Sequence, residues 1–264
     1  MKILSVAMIC LASAVSAGAD LSGDVVFLGE QHDNPAHHAR QADLVGQLAP
    51  KALVFEMLTD EQAAKVTPDL VPDAKALGEA LEWEAAGWPD FDWYHPIFLA
   101  APDAAIYGAA VPREAARGLM GQGLPQVFGD RATEFGLTDP LPEAQQEARE
   151  AMQLSAHCDA LPAEMLPVMV SIQRLRDASL ARAALQAFLD SGGPVVVITG
   201  NGHARKDWGA PAALALAAPD LAIKALGQGE EGSGAPTGAF DLVEFSPPVQ
   251  RDDPCEAFLK QRGN

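Results

Sequence analysis

The sequence predicts an α/β fold with a mainly parallel central sheet and helices on both of its faces. Short apolar segments of strand length recur along the chain, and the segments between them carry apolar residues at helical spacing. Strands that alternate with helices in this way are typical of βαβ units. The clearest strand, residues 194–199, is apolar almost throughout, which indicates a buried position in the sheet.

The elements follow in a regular order. Pro35, Pro112 and Pro211 each open a segment with helical spacing, because proline is favoured in the first turn of a helix. Residues 142–190 predict a helical insertion of two long helices broken near Pro162. The strands are predicted at residues 24–28, 52–55, 105–109, 194–199, 222–226 and 240–245. The last two could form an antiparallel edge, joined by a flexible loop rich in Gly and Glu at 228–238.

Composition excludes several classes of partner. The chain has 264 residues, of which 48% are hydrophobic, enough for one large domain. Its formal net charge of −18 makes nucleic acid and anionic membranes poor partners. The body of the chain contains no apolar segment long enough for a transmembrane helix.

The first 19 residues resemble a secretory signal. Lys2 precedes an apolar segment at 3–15, and small residues follow it. The alternative is a first buried strand or helix. With a signal, the mature chain begins near Gly18 or Asp20, residues 20–264 form a single domain, and the protein is soluble in the periplasm.

Three cysteines are present. Cys10 leaves with the signal, and Ile9 before it is a poor match to a lipidation site, which favours an unanchored protein. The remaining pair, Cys158 and Cys255, predicts one disulfide in an oxidising compartment. Two unrelated buried thiols are the alternative.

Ionisable side chains follow three of the predicted strands. Glu30 and His32 follow the first, Glu56 the second and His203 the fourth. Ligands of parallel α/β sheets bind outside the carboxyl ends of the strands, so we expect these four side chains to share one site. The glycines around His203, Gly200 and Gly202, allow positive φ and a close approach of the backbone to a ligand.

Several motifs together resemble the ChaN-like family of haem-binding and iron-uptake proteins. They are Leu28-Gly29-Glu30-Gln31-His32-Asp33-Asn34-Pro35 with His38, Phe55-Glu56-Met57, Trp88 with Trp93-Tyr94 and Pro96, Val111-Pro112-Arg113, Gln173-Arg174 with Asp177-Ala178 and Ala181, and Gly200-Asn201-Gly202-His203. The resemblance covers about residues 24–216. It implies a haem-binding protein of iron uptake, within a wider superfamily of erythromycin-esterase-like and Tiki-type proteins that includes hydrolases.

Haem needs an axial donor, an apolar surface and cations for its propionates. The resemblance therefore makes Tyr94, His95, His203 and His38 candidates for haem contacts. Arg113 is the candidate for a propionate. Arg174 and Asp177 are expected to form a buried pair that orients the site.

A hydrolase is the alternative function. Glu30, His32, Glu56 and His203 would then either hold a divalent metal ion or activate water directly. The ligand is expected to be haem or another small iron-containing molecule, and the sequence allows a homodimer without fixing the oligomeric state. Haem and metal ion thus remain two alternative cofactors at this point.

Overall fold

One sheet of six strands forms the centre of the molecule in a computed structural model, which describes residues 21–253, Cys255 and Glu256. The expected signal, residues 1–19, lies outside the described residues. The strands run in the order β3-β2-β4-β1-β5-β6, and all neighbours are parallel. They are β1 (Val25–Glu30), β2 (Ala52–Phe55), β3 (Ala105–Gly108), β4 (Val195–Gly200), β5 (Ile223–Glu230) and β6 (Leu242–Ser246).

Helices cover both faces of the sheet. They are α1 (Pro35–Leu48), α2 (Asp60–Ala63), α3 (Ala74–Ala80), α4 (Trp83–Ala86), α5 (Phe91–Ala100), α6 (Arg113–Gln122), α7 (Leu124–Phe128), α8 (Glu143–Ala156), α9 (Leu166–Ser191), α10 (Asn201–Ala204) and α11 (Ala210–Ala217). Helix α1 begins as the sequence predicts, with Pro35 in its first turn and the Asn34 side chain accepting from the Ala36 N–H. The predicted α/β fold is confirmed.

The two faces of each strand enter different cores. Val25 and Phe27 of β1 pack with the side of the sheet that carries α6, α7, α9 and α11. Val26 and Leu28 pack with the side that carries α1, α3, α4 and α5. This alternation follows from the two-residue period of a strand, and burial on both faces explains why the strand sequences are apolar without interruption.

The expected antiparallel edge is wrong. Strand β6 pairs with β5 in parallel, from Leu226 opposite Leu242 to Glu230 opposite Ser246. The returning chain is fixed at Asp241, whose N–H donates to the Ala225 carbonyl while its carboxylate accepts from the Ala225 N–H. These two bonds start β6 alongside the first half of β5 and set its direction. The first residues of the expected flexible loop instead extend β5 to Glu230.

The predicted disulfide is confirmed. Cys158, just after α8, is bonded to Cys255 across a sequence separation of 97, with the two Cα atoms 5.4 Å apart. The bond ties the carboxyl-terminal segment to the end of α8. Among the described helices, none is both long enough and apolar enough to cross a membrane.

The strand order places the carboxyl ends of β2, β4 and β1 side by side. After β1 the chain proceeds to β2 and β3 on one side of the sheet, and after β4 it proceeds to β5 and β6 on the other. Such a reversal opens a crevice beyond the strand ends, where open α/β sheets bind their ligands.

Candidate functional site

A crevice of about 700 Å³ opens at the carboxyl ends of these strands. Its floor comes from the ends of β1, β2 and β4. Trp88, helix α9 and the segment after β5 form the walls. The volume lies within the range of small-molecule sites.

His32 is the most accessible histidine of the strand-end group. Its Nδ1 lies 2.7 Å from Glu30 Oε1, and 34% of its side chain is exposed. The ring contacts the Trp88 indole at a centroid distance of 5.1 Å. A buried carboxylate on Nδ1 fixes the ring orientation and leaves Nε2 facing the crevice, where it has no hydrogen-bond partner among the described residues.

Glu30 is buried beneath His32 and collects several donors. The Tyr94 hydroxyl donates to its Oε1 at 2.7 Å. Its Oε2 lies 3.3 Å from His38 Nδ1, without the alignment of a hydrogen bond, while His38 Nε2 donates to the His32 carbonyl. Tyr94 and His38 are both buried. They therefore support the site from below and do not face the crevice.

Glu56 links the second strand to the fourth. Its Oε2 accepts from the Thr199 hydroxyl at 2.6 Å and from the Gly200 N–H at 2.8 Å. Its Oε1 faces the Nε2 atoms of His203, at 3.7 Å, and of His32, at 4.0 Å. One carboxylate oxygen thus lies between the two imidazoles of the site.

His203 follows β4 and is buried. Its Nδ1 lies 2.6 Å from Oδ1 of Asp177, on the long helix α9. The pairing expected between Arg174 and Asp177 does not form. Arg174 instead donates to the carbonyls of Gly136 and Asp139. Asp177 orients His203 as expected, but without Arg174.

Burial and charge act against each other in this cluster. Burial by itself lowers the pKa of His32, but the Glu30 hydrogen bond and the Glu56 charge outweigh it and raise that pKa to about 9. The pKa of His203 is also raised, because Glu56 and Asp177 outweigh its burial. Burial raises the pKa of Glu56, yet the two histidines bring it below the ordinary value.

The glycine at the end of β4 matters through its missing side chain. A Cβ on Gly200 would lie 2.9 Å from His32 Nε2, so the His32 ring rests directly on the backbone. The φ angle of Gly200 is −65°, which any residue can adopt. Gly200 therefore does not use the positive φ that glycine allows, and the close approach to its backbone is made by the His32 side chain.

The structure brings Glu30, His32, Glu56 and His203 together and leaves two other candidates apart. His95 donates from Nε2 to the Val71 carbonyl at 2.7 Å. Arg113 is exposed at the start of α6, outside the residues that line the crevice.

A divalent metal ion at the four clustered side chains is not supported. Among the described residues, no group of three or more His, Cys, Asp or Glu side chains is arranged to hold one. The physical reason is that Glu30 turns inward to Tyr94 and His38.

Two crevice residues were not among the predicted site residues, although Gln173 lies in one of the family motifs. Arg176 and Gln173 lie three positions apart on α9 and both line the crevice. Helical spacing places such residues on one face. Only knowledge of where α9 crosses the sheet shows that this face meets the strand ends.

Comparison with known proteins places the chain in a family. The family model described as haem-binding uptake, Tiki superfamily, ChaN matches residues 20–214. The chain belongs to this family. Among curated proteins, no sequence matches. The family match confirms the resemblance in the sequence motifs and favours haem binding over the hydrolase alternative.

Two solved structures are similar to this member of the ChaN family. One, described as showing cofacial haem binding to ChaN of Campylobacter jejuni, has a TM-score of 0.63 and 18% identity, over 84% of this chain and 87% of that chain. The other is the type III effector HopBA1, with a TM-score of 0.43 and 12% identity, over 89% of this chain and 100% of that chain. At 18% identity, the ChaN likeness supports the fold alone.

Proposed function

We propose that this protein binds haem at the crevice and serves iron uptake in the periplasm. Family membership supports the ligand class, and the similar Campylobacter jejuni protein is described as binding haem. The observation that carries the proposal is the geometry of His32. It presents Nε2 to the crevice while a buried carboxylate holds Nδ1.

His32 fits the requirements of an axial ligand. Histidines that bind metals usually donate their second ring nitrogen to a carboxylate or carbonyl, which fixes the tautomer and strengthens the donor. Bound haem would supply an iron with an open axial position for such an imidazole. His203 offers the same pairing with Asp177, but it is buried. Tyr94 is buried and donates its hydroxyl to Glu30, so we assign it a supporting role.

Trp88 provides the apolar surface that a porphyrin needs. It forms one wall of the crevice and also lines a neighbouring groove of about 920 Å³ with Trp83 and Phe91. A flat macrocycle on His32 could stack on the indole and extend towards this groove. Aromatic side chains supply such flat contact surface at little entropic cost.

Arg176 fits the propionates better than Arg113 does. Its guanidinium is exposed, lines the crevice and makes no hydrogen bond or ion pair with any described residue. Arg205, the other arginine of the crevice, is already paired with Asp207. Guanidinium groups bind carboxylates in a planar, two-pronged geometry. We therefore assign a propionate to Arg176, with Gln173 beside it.

A haem titration tests the axial ligand. Ferric haem should give a saturable Soret shift with the wild type, and His32→Ala should weaken binding and change the spectrum. His157→Ala is the control, because His157 follows α8, outside the crevice, and bonds the Gln153 carbonyl. Absence of a saturable shift would overturn haem binding; an unchanged spectrum in His32→Ala would overturn its assignment.

The propionate assignment has its own test. Arg176→Met should lower haem affinity roughly tenfold or more, the value of a charge-assisted hydrogen bond. Arg113→Met should leave the affinity unchanged. Haem dimethyl ester, whose propionates carry no charge, should bind Arg176→Met and wild type equally well. Equal losses for both ligands would show that Arg176 does not contact a carboxylate.

Export is supported by the signal-like residues 1–19 and by the disulfide, since disulfides persist in oxidising compartments. We infer that the mature chain, residues 20–264, is one domain, because both described cores share a single sheet. Mass spectrometry of periplasmic protein should find the N-terminus near Gly18 or Asp20. Labelling under denaturing, non-reducing conditions should find no free thiol; an intact Met1 or two labelled cysteines would contradict export.

A further inference from the structure

A second pocket borders α9 and shares no lining residue with the crevice. It has a volume of about 270 Å³ and is enclosed by α8, α9, α11 and residues 135–141. We call it the Arg149 pocket and define it by Arg149, Asp177, Trp208, Leu141 and Leu216. It shares Asp177 with the site, since that residue also holds His203.

Three buried donor atoms in this pocket have no acceptor among the described residues. Arg149 is only 5% exposed. Its Nη2 donates to the Trp208 carbonyl at 3.2 Å, while within the described part of the chain its Nε and Nη1 have no partner. The same holds for the buried indole Nε1 of Trp208. Each unpaired buried donor costs about 1–3 kcal/mol, so the pocket favours a ligand that accepts hydrogen bonds.

The charges of the pocket favour an anion. Arg149, Arg174, Asp177 and Asp207 line it, and Asp207 is already paired with Arg205. The other three leave one positive charge in excess, although the whole chain carries −18. A buried charge is stable only when it is paired and hydrogen-bonded, which a monovalent anion would achieve for Arg149.

A hydrogen-bond acceptor in the pocket, on Asp177, narrows the class of anion that fits. Asp177 Oδ2 is buried and has no hydrogen-bond partner among the residues that the structure describes. A carboxylate alone would bring two like charges together at this oxygen. A hydroxyl next to the ligand carboxylate removes the conflict, because it donates to Oδ2 while the carboxylate accepts from Arg149 and Trp208.

The remaining walls are apolar. Phe135, Leu137, Leu141 and Leu216 face the same pocket. Leu216 is 65% exposed and lies against Gly136, where a Cβ would come within 2.7 Å of its Cδ1. Leu216 therefore lies at the mouth of the pocket, where it can contact the apolar part of a ligand.

We propose that the Arg149 pocket binds a small 2-hydroxycarboxylate with an apolar tail. The carboxylate pairs with Arg149 and the Trp208 indole N–H, the hydroxyl donates to Asp177 Oδ2, and the tail lies against Leu141 and Leu216. The other oxygen of Asp177 bonds to His203. A ligand in this pocket therefore affects the crevice through the Asp177 side chain.

Calorimetry on haem-free protein tests the proposal with mandelate, which carries all three features. Mandelate should bind saturably and shift the His203 ring signals in NMR spectra. Phenylacetate, which lacks the hydroxyl, should bind with an affinity lower by roughly tenfold or more. Benzyl alcohol, which lacks the carboxylate, should not bind. The absence of saturable mandelate binding, or equal affinity for mandelate and phenylacetate, would overturn the proposal.

Variants locate the bound ligand. Arg149→Met should abolish mandelate binding. Leu216→Glu places a like charge at the mouth without disturbing the interior and should weaken binding at least about tenfold. Leu189→Glu is the matched control, since Leu189 is 64% exposed and lies outside the pocket. Unchanged mandelate affinity in Leu216→Glu would overturn the location. The haem titration of Leu216→Glu should match wild type, which separates this proposal from haem binding.

Discussion

His32 and His203 are held by the same kind of bond but in different surroundings. Each places Nδ1 within 2.7 Å of a buried carboxylate, Glu30 for His32 and Asp177 for His203. Glu30 lies two residues from its histidine on the same strand end, whereas Asp177 reaches His203 from α9. His32 is partly exposed to the crevice and His203 is buried. Accessibility, and not the pairing itself, distinguishes the histidine that can bind a ligand directly.

The two carboxylates differ in how fully they are satisfied. Burial raises the pKa of Glu30, but the hydrogen bond from His32 and the nearby His38 ring outweigh it and hold that pKa well below its ordinary value. Burial also raises the pKa of Asp177, and His203 offsets this only in part, so the value stays raised. Glu30 therefore has a structural role, because it holds His32 and Tyr94 in place. Asp177 lines the Arg149 pocket and keeps one oxygen without a hydrogen-bond partner in the described part of the chain.

The largest expected effect is the loss of Glu30. Glu30→Ala leaves Tyr94 and His32 without their shared acceptor, and removal of one partner from a buried ion pair costs about 3–5 kcal/mol. Asp177→Ala should cost less, because Asp177 makes a single hydrogen bond and its ionised form is less favoured. Urea unfolding of both variants measures the difference. An equal or larger cost for Asp177→Ala would show that the two carboxylates are equivalent.

Tyr94→Phe should have the next largest effect. It removes one donor from Glu30, and a hydrogen bond to a charged group contributes about 1.5–3 kcal/mol. The haem spectrum should stay that of the wild type, because the phenol is buried beneath the site. Loss of charge-transfer bands in Tyr94→Phe, with His32→Ala unchanged, would make Tyr94 the axial ligand and reverse the roles of the two side chains.

A smaller effect is expected from Gly200→Ala. The new Cβ would lie 2.9 Å from His32 Nε2, and crowding of this kind costs about 1–3 kcal/mol. It should also displace the ring and weaken haem binding. Gly202→Ala is the matched control two residues away, where the Cβ would make an ordinary contact of 3.6 Å with Gln173 Nε2. Equal haem affinities for the two variants would show that the position of His32 is not critical.

The sequence predicts the floor of the site better than its walls. Glu30, His32, Glu56 and His203 could be found because each follows an apolar strand, and parallel strands end at one edge. The direction of β6 could not be predicted, because it depends on the bonds between Asp241 and Ala225. Such a long-range pairing leaves no local pattern.

The walls depend on how helices are rotated against the sheet. Arg113 and Arg176 are both arginines on helices beside the sheet, and only the path of α9 places Arg176 in the crevice. Tyr94 lies in an aromatic segment that suggested a ligand contact, yet α5 turns it inward to Glu30. Periodicity shows that a helix has an apolar face, but it does not show which polar residue borders a particular strand end.

The smallest expected effect concerns the titration of the site histidines with pH. His32 should titrate at about 9 in NMR spectra of the haem-free protein. His37 should titrate below its ordinary value, because burial lowers its pKa and outweighs the hydrogen bond to the Gly229 carbonyl, which raises it. The pKa of His32 in the folded protein lies above the value of about 6.5 in the unfolded chain. The stabilisation by His32 is therefore fully present below about pH 6.5 and is lost as the pH rises through 9. Glu30→Gln should therefore bring the His32 pKa down towards about 6.5 and remove this loss of stability. If His32 titrates near its ordinary value in the wild type, the buried carboxylate does not control the ring, and the claim that His32 and His203 are held by the same kind of bond would fail.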